Sequence, residues 1–177
     1  MHKAIYETAD RIQILLRVFV TALFVACVLF IWHNSMENAE VSAGRSGRVT
    51  KLVNQVVECV GGEAVTEHFV RKLAHFSEYG LEGVLTVFLF MAYSLKPVRH
   101  LRTMALTGFF TATVDESIQF FSAGRAPGVL DVCIDMAGFI CGVLSVLAIY
   151  GIVHCIINRR SPAGICRLPK EQAHSSR

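Results

Sequence analysis

Residues 12–32 read IQILLRVFVTALFVACVLFIW, an apolar run that only three polar side chains interrupt. A helix that crosses a bilayer needs about 20 consecutive, predominantly apolar residues, so this run predicts a transmembrane helix. Lys3 and Arg11 precede the run, as basic residues precede the apolar part of a signal peptide, but no small-residue cleavage motif follows it closely. We therefore expect this first helix to remain uncleaved.

Three further apolar runs occupy residues 76–95, 103–121 and 129–157. Hydrophobic residues make up 53% of the 177 residues and charged residues only 18%, whereas about a quarter of a soluble domain is charged. The short connections, 96–102 and 122–128, contain proline or glycine, which interrupt helices. We predict an all-α, polytopic membrane protein with four transmembrane helices.

The distribution of lysine and arginine indicates the orientation. If the N-terminus lies inside, 11 of the 17 Lys and Arg residues fall on the cytoplasmic side, as the positive-inside rule favours. We therefore predict that both termini are cytoplasmic. Residues 1–11 form the N-terminal segment, 12–157 the transmembrane domain, and 158–177 a disordered tail.

The outer segment between the first two runs is too long for a simple loop. Apolar residues recur in it at spacings of three and four, which predicts an amphipathic helix. They are Val49, Leu52, Val53, Val56, Val57 and Val60. Such a helix either lies in the outer interface of the membrane or packs on the outer end of the bundle, and the sequence favours neither alternative.

Small residues recur four apart in the last two runs. Gly108 is followed by Ala112, and Gly138 is followed by Gly142. This spacing lets the backbones of neighbouring membrane helices approach closely. We therefore expect the third and fourth predicted helices to make tight contacts at these positions.

Several classes of function lack support in the sequence. The net charge is only +3, and no basic patch is interleaved with aromatic residues, so we predict no nucleic-acid partner. The six cysteines form no C-x-x-C pair, which argues against a disulfide framework and a cysteine metal site. The chain also contains no G-x-S-x-G, H-E-x-x-H or P-loop motif.

Polar residues gather where the second, third and fourth predicted helices reach the outer side. Residues three or four apart share a helix face, so the set forms three stripes that enclose a pocket opening outward. It comprises Arg71, Lys72, His75, Glu78, Tyr79, Glu82, Asp115, Glu116, Gln119, Arg125, Asp131 and Asp135. Charged groups within a bilayer usually face the bundle interior or water, because exposure to lipid is costly.

Side-chain chemistry suggests candidate roles for these residues. His75 and Glu78 are candidates for a general acid–base pair, and Asp115 is a third catalytic candidate. The ligand-binding candidates are Lys72, Tyr79, Gln119, Arg125, Asp131 and Asp135. A divalent cation such as Mg²⁺ is one candidate cofactor, because Asp115, Asp131 and Asp135 offer the oxygen ligands that it prefers. The structural alternative is that interhelical salt bridges fix the packing.

These motifs resemble the VanZ-like family. The resemblance spans about residues 12–157 and rests on Lys72-x-x-His75-Phe76-x-Glu78-Tyr79, Asp115-Glu116-x-x-Gln119-x-Phe121, Gly124-Arg125, Asp131-Val132 and Asp135-x-x-Gly138-x-x-x-Gly142. It implies a bacterial integral protein of the cytoplasmic membrane. The founding member of the family is associated with low-level resistance to the glycopeptide teicoplanin. The resemblance therefore implies a role at the cell envelope and names no reaction.

Three hypotheses about function follow. In the first, the pocket binds a lipid-linked envelope precursor or a glycopeptide and lowers sensitivity to antibiotics such as teicoplanin. In the second, the protein is an intramembrane hydrolase or transferase that acts on a lipid headgroup or a lipid-linked precursor. In the third, it is a membrane scaffold without catalysis, and the charges serve packing. The lipid bilayer is a partner in all three.

Overall fold

The computed structural model describes the backbone of residues 2–125 and 128–160 and the side chains of residues 9–125 and 128–157. Every regular element in this part of the chain is helical, which confirms the all-α prediction. The elements are α1 (His2–Met36), α2 (Ala39–Cys59), α3 (Glu67–Ala92), a 3-10 turn (Pro97–His100), α4 (Leu101–Phe121) and α5 (Val129–Arg160). The predicted disordered tail, 158–177, lies outside the described residues beyond Arg160.

Two helices are long and apolar enough to cross a membrane on their own, Ala9–Met36 of α1 and Val129–Ile157 of α5. The helices α3 and α4 meet the requirement only as a pair, bent by 114° at the break between them. Carboxylates in these two helices reduce their apolar character. Within the described residues, length and composition therefore support two spans and at most three. The predicted count of four is not confirmed.

The helices α1 and α3 run antiparallel. Arg17 Nε of α1 donates a hydrogen bond to the carbonyl of Ala92 at the end of α3, at 3.1 Å. Farther along α1, Asn34 Nδ2 donates to Glu78 Oε1 in the first half of α3, at 3.0 Å. The end of α1 therefore lies beside the start of α3. We call this end of the bundle the polar end, because α4 finishes there and α5 begins there with their charged residues.

The helices α3 and α5 pack with their backbones nearly in contact. A side chain at Gly138 would overlap the carbonyl of Phe76, and one at Gly142 would overlap the carbonyl of Gly80. The predicted close contact at this pair of α5 glycines is thus confirmed, and its partner is α3. The residue four positions later on α5 contacts the residue four positions later on α3, so the two helices are parallel. Both begin at the polar end.

Most of the apolar surface of the bundle is exposed. Ile31, Tyr79 and Phe139 are among the few large side chains that are fully buried. In contrast, Leu15 on α1 is 68% exposed and Ile157 on α5 is 62% exposed. Helices that are apolar on most of their faces suit a lipid environment, so these exposed side chains indicate a bilayer around the bundle.

The predicted amphipathic helix lies within α2, which begins at Ala39, ten residues before the predicted apolar pattern. Asn38 starts the helix by accepting a hydrogen bond from the backbone nitrogen of Val41 at 2.9 Å, as N-cap residues do. The bundle leaves most of the apolar face uncovered, with Leu52 64% and Val56 67% exposed, whereas Val53 and Val57 are partly buried. This exposure favours the membrane-interface alternative over packing on the bundle.

Candidate functional site

A cavity of about 280 Å³ opens at the polar end of the bundle. Residues of α3, α4, α5, the start of α2 and the loop before α5 form its walls. They are Ala39, His68, Arg71, Lys72, His75, Glu116, Gln119, Gly124, Arg125, Asp131, Ile134 and Asp135. The helix ends thus form one cavity that has charged and polar residues in its lining.

One face of α3 supplies four of these residues. His68, Arg71, Lys72 and His75 follow one another at spacings of three, one and three, which places them on one side of a helix. The second apolar run of the sequence starts at residue 76. However, α3 begins nine residues earlier, at Glu67, because Thr66 caps it by accepting a hydrogen bond from the backbone nitrogen of Phe69. The polar residues of the site are therefore helical.

The rim of the cavity carries an ion pair between α3 and α5. Lys72 Nζ lies 2.6 Å from Asp131 Oδ1, and each side chain is about one-third exposed. Partly exposed pairs of this kind contribute at most about 1 kcal/mol to stability. The pair fixes the relative positions of the two helix starts, and its exposure leaves the ammonium group accessible from the cavity.

The floor of the cavity consists of one histidine and two carboxylates from three helices. His75 Nδ1 lies 4.0 Å from Asp115 Oδ2 and 3.9 Å from Asp135 Oδ1. Both aspartates are almost completely buried. Gln119 Nε2 donates to Asp115 Oδ2 at 3.1 Å and to Glu116 Oε1 at 3.2 Å. The glutamine therefore orients the carboxylates of α4 next to the cavity.

Arg125 links the loop before α5 to the end of α1. Its Nε donates to the carbonyl of Glu37 and one terminal nitrogen donates to the carbonyl of Asn34, both at 3.1 Å. The last carbonyls of a helix have no partner within the helix, and a cation there also complements the helix dipole. Burial lowers the pKa of Arg125 below its ordinary value, but a guanidinium group remains charged in proteins.

Glu78 and Tyr79 lie outside the cavity lining. Glu78 accepts its hydrogen bond from Asn34, and Asn34 Oδ1 in turn accepts one from Arg45 at 3.0 Å. Arg45 also forms an ion pair with Glu37. Tyr79 is fully buried in the core between the helices. The two residues of the candidate acid–base pair are therefore separated. His75 lines the cavity, whereas Glu78 belongs to a polar network along α1.

Of the predicted site residues, the structure gathers seven at the cavity or directly under it. They are Lys72, His75, Asp115, Gln119, Arg125, Asp131 and Asp135. Arg71 and Glu116 belong to the same predicted polar set without an assigned role, and both line the cavity. The sequence does not single out Asn34 and Ser35 at the end of α1. Their only signal is polarity at the end of an apolar run, which is also what an ordinary membrane interface displays.

The lining of the cavity carries charges of both signs. Arg71, Lys72 and Arg125 supply three positive charges. The same lining contains three carboxylates, those of Glu116, Asp131 and Asp135. Guanidinium and ammonium groups can bind phosphate oxygens through charge-assisted hydrogen bonds, and carboxylates can bind cations.

The chain matches the model of a known protein family. The family model described as VanZ/LLP1 matches residues 19–152, a range that includes every residue of the cavity. No curated protein and no solved structure matches the chain.

Proposed function

Because the chain belongs to the VanZ/LLP1 family, we propose that it acts at the cell envelope by binding an anionic, lipid-linked component in its polar cavity. Binding of such a component lowers the sensitivity of the cell to glycopeptides such as teicoplanin. The observation that carries this proposal is the set of three cationic side chains on the cavity wall, Arg71, Lys72 and Arg125. The family resemblance supplies the link to glycopeptides.

Arg71 is the cation that is most available to a ligand. Lys72 already pairs with Asp131, and Arg125 donates to the end of α1. Among the described residues, no carboxylate lies within ion-pair distance of Arg71, whose terminal nitrogen contacts His68 Nδ1 at 3.4 Å. A guanidinium group can bind two phosphate oxygens at once. We therefore assign Arg71 the main phosphate contact.

A second cleft supports a lipid rather than a soluble ligand. It has a volume of about 440 Å³ and lies between the end of α4 and the start of α5. Glu116 lines both this cleft and the cavity. The outer wall of the cleft is apolar, with Phe121 86% and Val129 82% exposed. A headgroup in the cavity thus leaves room for its hydrocarbon chain in the cleft, on the lipid side of the bundle.

The proposed function also requires that the polar end faces outward. We propose that α1, α3, α4 and α5 each cross the bacterial cytoplasmic membrane, with both termini inside. The antiparallel arrangement of α1 and α3 supports this topology, and so does the excess of Lys and Arg on the predicted inner side. A membrane-impermeant thiol reagent should label Cys59 of α2 in intact cells. Labelling only after lysis would contradict the orientation.

The first test measures glycopeptide susceptibility. Expression of the wild-type protein in a Gram-positive host should raise the inhibitory concentration of teicoplanin, and Arg71→Gln should remove most of this protection. The matched control is Arg48→Gln, which changes an exposed arginine on α2 outside the cavity and should protect like the wild type. Membrane abundance is measured for each variant. Unchanged susceptibility with abundant wild-type protein would remove the antibiotic role.

Direct binding separates the lipid ligand from free phosphate. Purified protein in detergent should bind short-chain phosphatidic acid more tightly than inorganic phosphate, because only the lipid fills the apolar cleft. Arg71→Gln should weaken phosphatidic acid binding by about 10-fold or more, the equivalent of one charge-assisted hydrogen bond. Equal affinities of the wild type for the two probes would contradict the role of the cleft.

An intramembrane enzyme is the second candidate function. The observation that favours it is the position of His75 between two buried carboxylates at the cavity floor, where a histidine can act as general acid or base. A hydrolase or transferase that acts on the bound headgroup is the matching reaction class. Product release from a phosphorylated lipid by the wild type, and none by His75→Gln at equal abundance, would distinguish this candidate from simple binding.

A further inference from the structure

We propose that His75, Asp115 and Asp135 bind one divalent transition-metal cation at the floor of the cavity. Each residue offers one ligand atom, and these atoms all lie within 4.8 Å of one another. The two distances from His75 Nδ1, 3.9 and 4.0 Å, are too long for hydrogen bonds. Atoms that share one Zn²⁺ ion at about 2.1 Å lie roughly 3.0–3.5 Å apart, so a small inward shift of the three side chains completes the site.

Each of the two aspartates has one oxygen without a hydrogen bond. Asp115 Oδ1 and Asp135 Oδ2 are buried and form none among the described residues, whereas the other oxygen of each carboxylate is the one that faces His75. The two residues are only 0% and 1% exposed, so water does not solvate them freely. Buried carboxylates usually pair or coordinate a metal. A divalent cation bound to the oxygens that face His75 neutralises both carboxylates.

Two of the basic residues of the cavity are already engaged. Lys72 pairs with Asp131 at 2.6 Å, and Arg125 donates its hydrogen bonds to the end of α1. In the part of the chain that the structure describes, neither Asp115 nor Asp135 forms an ion pair with a lysine or an arginine. Their nearest basic partner is His75. Arg71 also lines the cavity but lies outside ion-pair distance of either aspartate. Protons and a metal ion are therefore the two ways left to neutralise them, and the metal-binding experiment distinguishes these two.

The cavity gives the ion an entry path and leaves part of its coordination sphere open. His75 and Asp135 line the cavity, whereas Asp115 lies beneath it. The bound cation therefore faces the cavity on one side, where water or a phosphate oxygen completes the coordination. Gln119 holds Asp115 Oδ2 by a hydrogen bond of 3.1 Å, the kind of outer contact that orients metal-ligating carboxylates.

The ligand set selects a different ion from the one that the sequence suggests. The sequence alone suggests Mg²⁺ as the ion, with Asp115, Asp131 and Asp135 as its ligands. In the structure, Asp131 is occupied by Lys72, and His75 takes its place beside the other two carboxylates. Imidazole suits Zn²⁺ and related transition metals, while carboxylates also accept Mn²⁺. A site with one nitrogen and two carboxylates therefore favours Zn²⁺ or Mn²⁺ over Mg²⁺.

The test measures metal binding by the full-length protein in detergent, so its outcome is independent of the glycopeptide and lipid assays. After removal of metals with a chelator, Zn²⁺ and Mn²⁺ are added separately and the bound metal is quantified. We expect about one ion per chain, and a folded wild type that takes up neither ion would overturn the proposal. Asp135→Asn should lower the affinity by at least about 10-fold, the loss that even outer-shell changes cause.

The matched control is Asp10→Asn, which makes the same chemical change at an exposed aspartate on α1, outside the cavity. It should keep the wild-type affinity. An equal loss in Asp10→Asn and Asp135→Asn would overturn the assignment of ligands. If Asp135→Asn does not fold, X-ray absorption of the zinc-loaded wild type decides the question. One imidazole nitrogen among oxygen ligands supports the site, and any spectrum without imidazole contradicts it.

Discussion

Replacement of Gly142 by valine is expected to lower the free energy of unfolding so far that most of the protein is unfolded. A side chain at this position overlaps the carbonyl of Gly80 on α3, and a backbone carbonyl within a helix cannot rotate away as a side chain can. Overpacking of a core usually costs about 1–3 kcal/mol and sometimes more. We expect at least about 3 kcal/mol here, since two parallel helices must separate to relieve the overlap.

The chain offers a matched control for this change. Gly151 lies on the same helix, and nothing lies within 4 Å of a side chain added there. Gly151→Val therefore makes the same chemical change on α5 without an overlap. Thermal unfolding and size-exclusion chromatography in detergent should show a large loss for Gly142→Val and almost none for Gly151→Val. Similar unfolding temperatures for the two variants would mean that α3 and α5 are not in backbone contact.

Removal of the Arg125 guanidinium is expected to produce the second largest loss of stability. The arginine donates two hydrogen bonds to the carbonyls of Asn34 and Glu37. The hydrogen bond from Ser122 Oγ to the carbonyl of Ser35, at 2.8 Å, joins the same two segments and remains in the variant. Hydrogen bonds to charged groups contribute about 1.5–3 kcal/mol each. Because Arg125 is only partly buried, we expect Arg125→Leu to cost about 2–3 kcal/mol in total.

Two comparisons separate this contact from a general effect of charge. Arg48→Leu removes an exposed arginine from α2 and should change the free energy of unfolding by less than about 0.5 kcal/mol. Arg125→Lys keeps the charge but not the planar fork that reaches both carbonyls, so it should recover only part of the stability. Full recovery by lysine would show that charge alone, rather than the pair of hydrogen bonds, holds the loop.

The contacts of Gly142 and Arg125 position parts of the cavity as well as stabilising the fold. The contact at Gly142 sets the distance between α3 and α5, and with it the separation of His75 from Asp135. Arg125 sets the position of the loop that closes the cavity beside α1. Partial loss of either contact should therefore weaken metal and phosphate binding before the bundle unfolds. Metal and phosphate affinities of Arg125→Lys, which keeps the charge, should be measured. They should be lower than those of the wild type while the variant is still folded.

The helices themselves follow from local features of the sequence. Apolar runs of about 20 residues predict α1 and α5, and the spacing of small residues predicts the close approach at Gly138 and Gly142. These features depend on residues within a few helical turns of one another, so they can be identified from a single sequence. The number of membrane spans does not follow from local sequence in the same way. Glu82 and other carboxylates make α3 and α4 less apolar than α1 and α5.

The sequence by itself determined the helical fold class, the family resemblance and the end of the bundle where the polar residues gather. Only the tertiary structure decided which partner each polar residue has. Lys72 binds Asp131, 59 positions away, rather than another acid. Glu78 turns to Asn34, 44 positions away, and His75 faces Asp115 and Asp135. The helical spacing gives the face on which a side chain lies. Which residue opposes it depends on how the helices pack across long sequence separations.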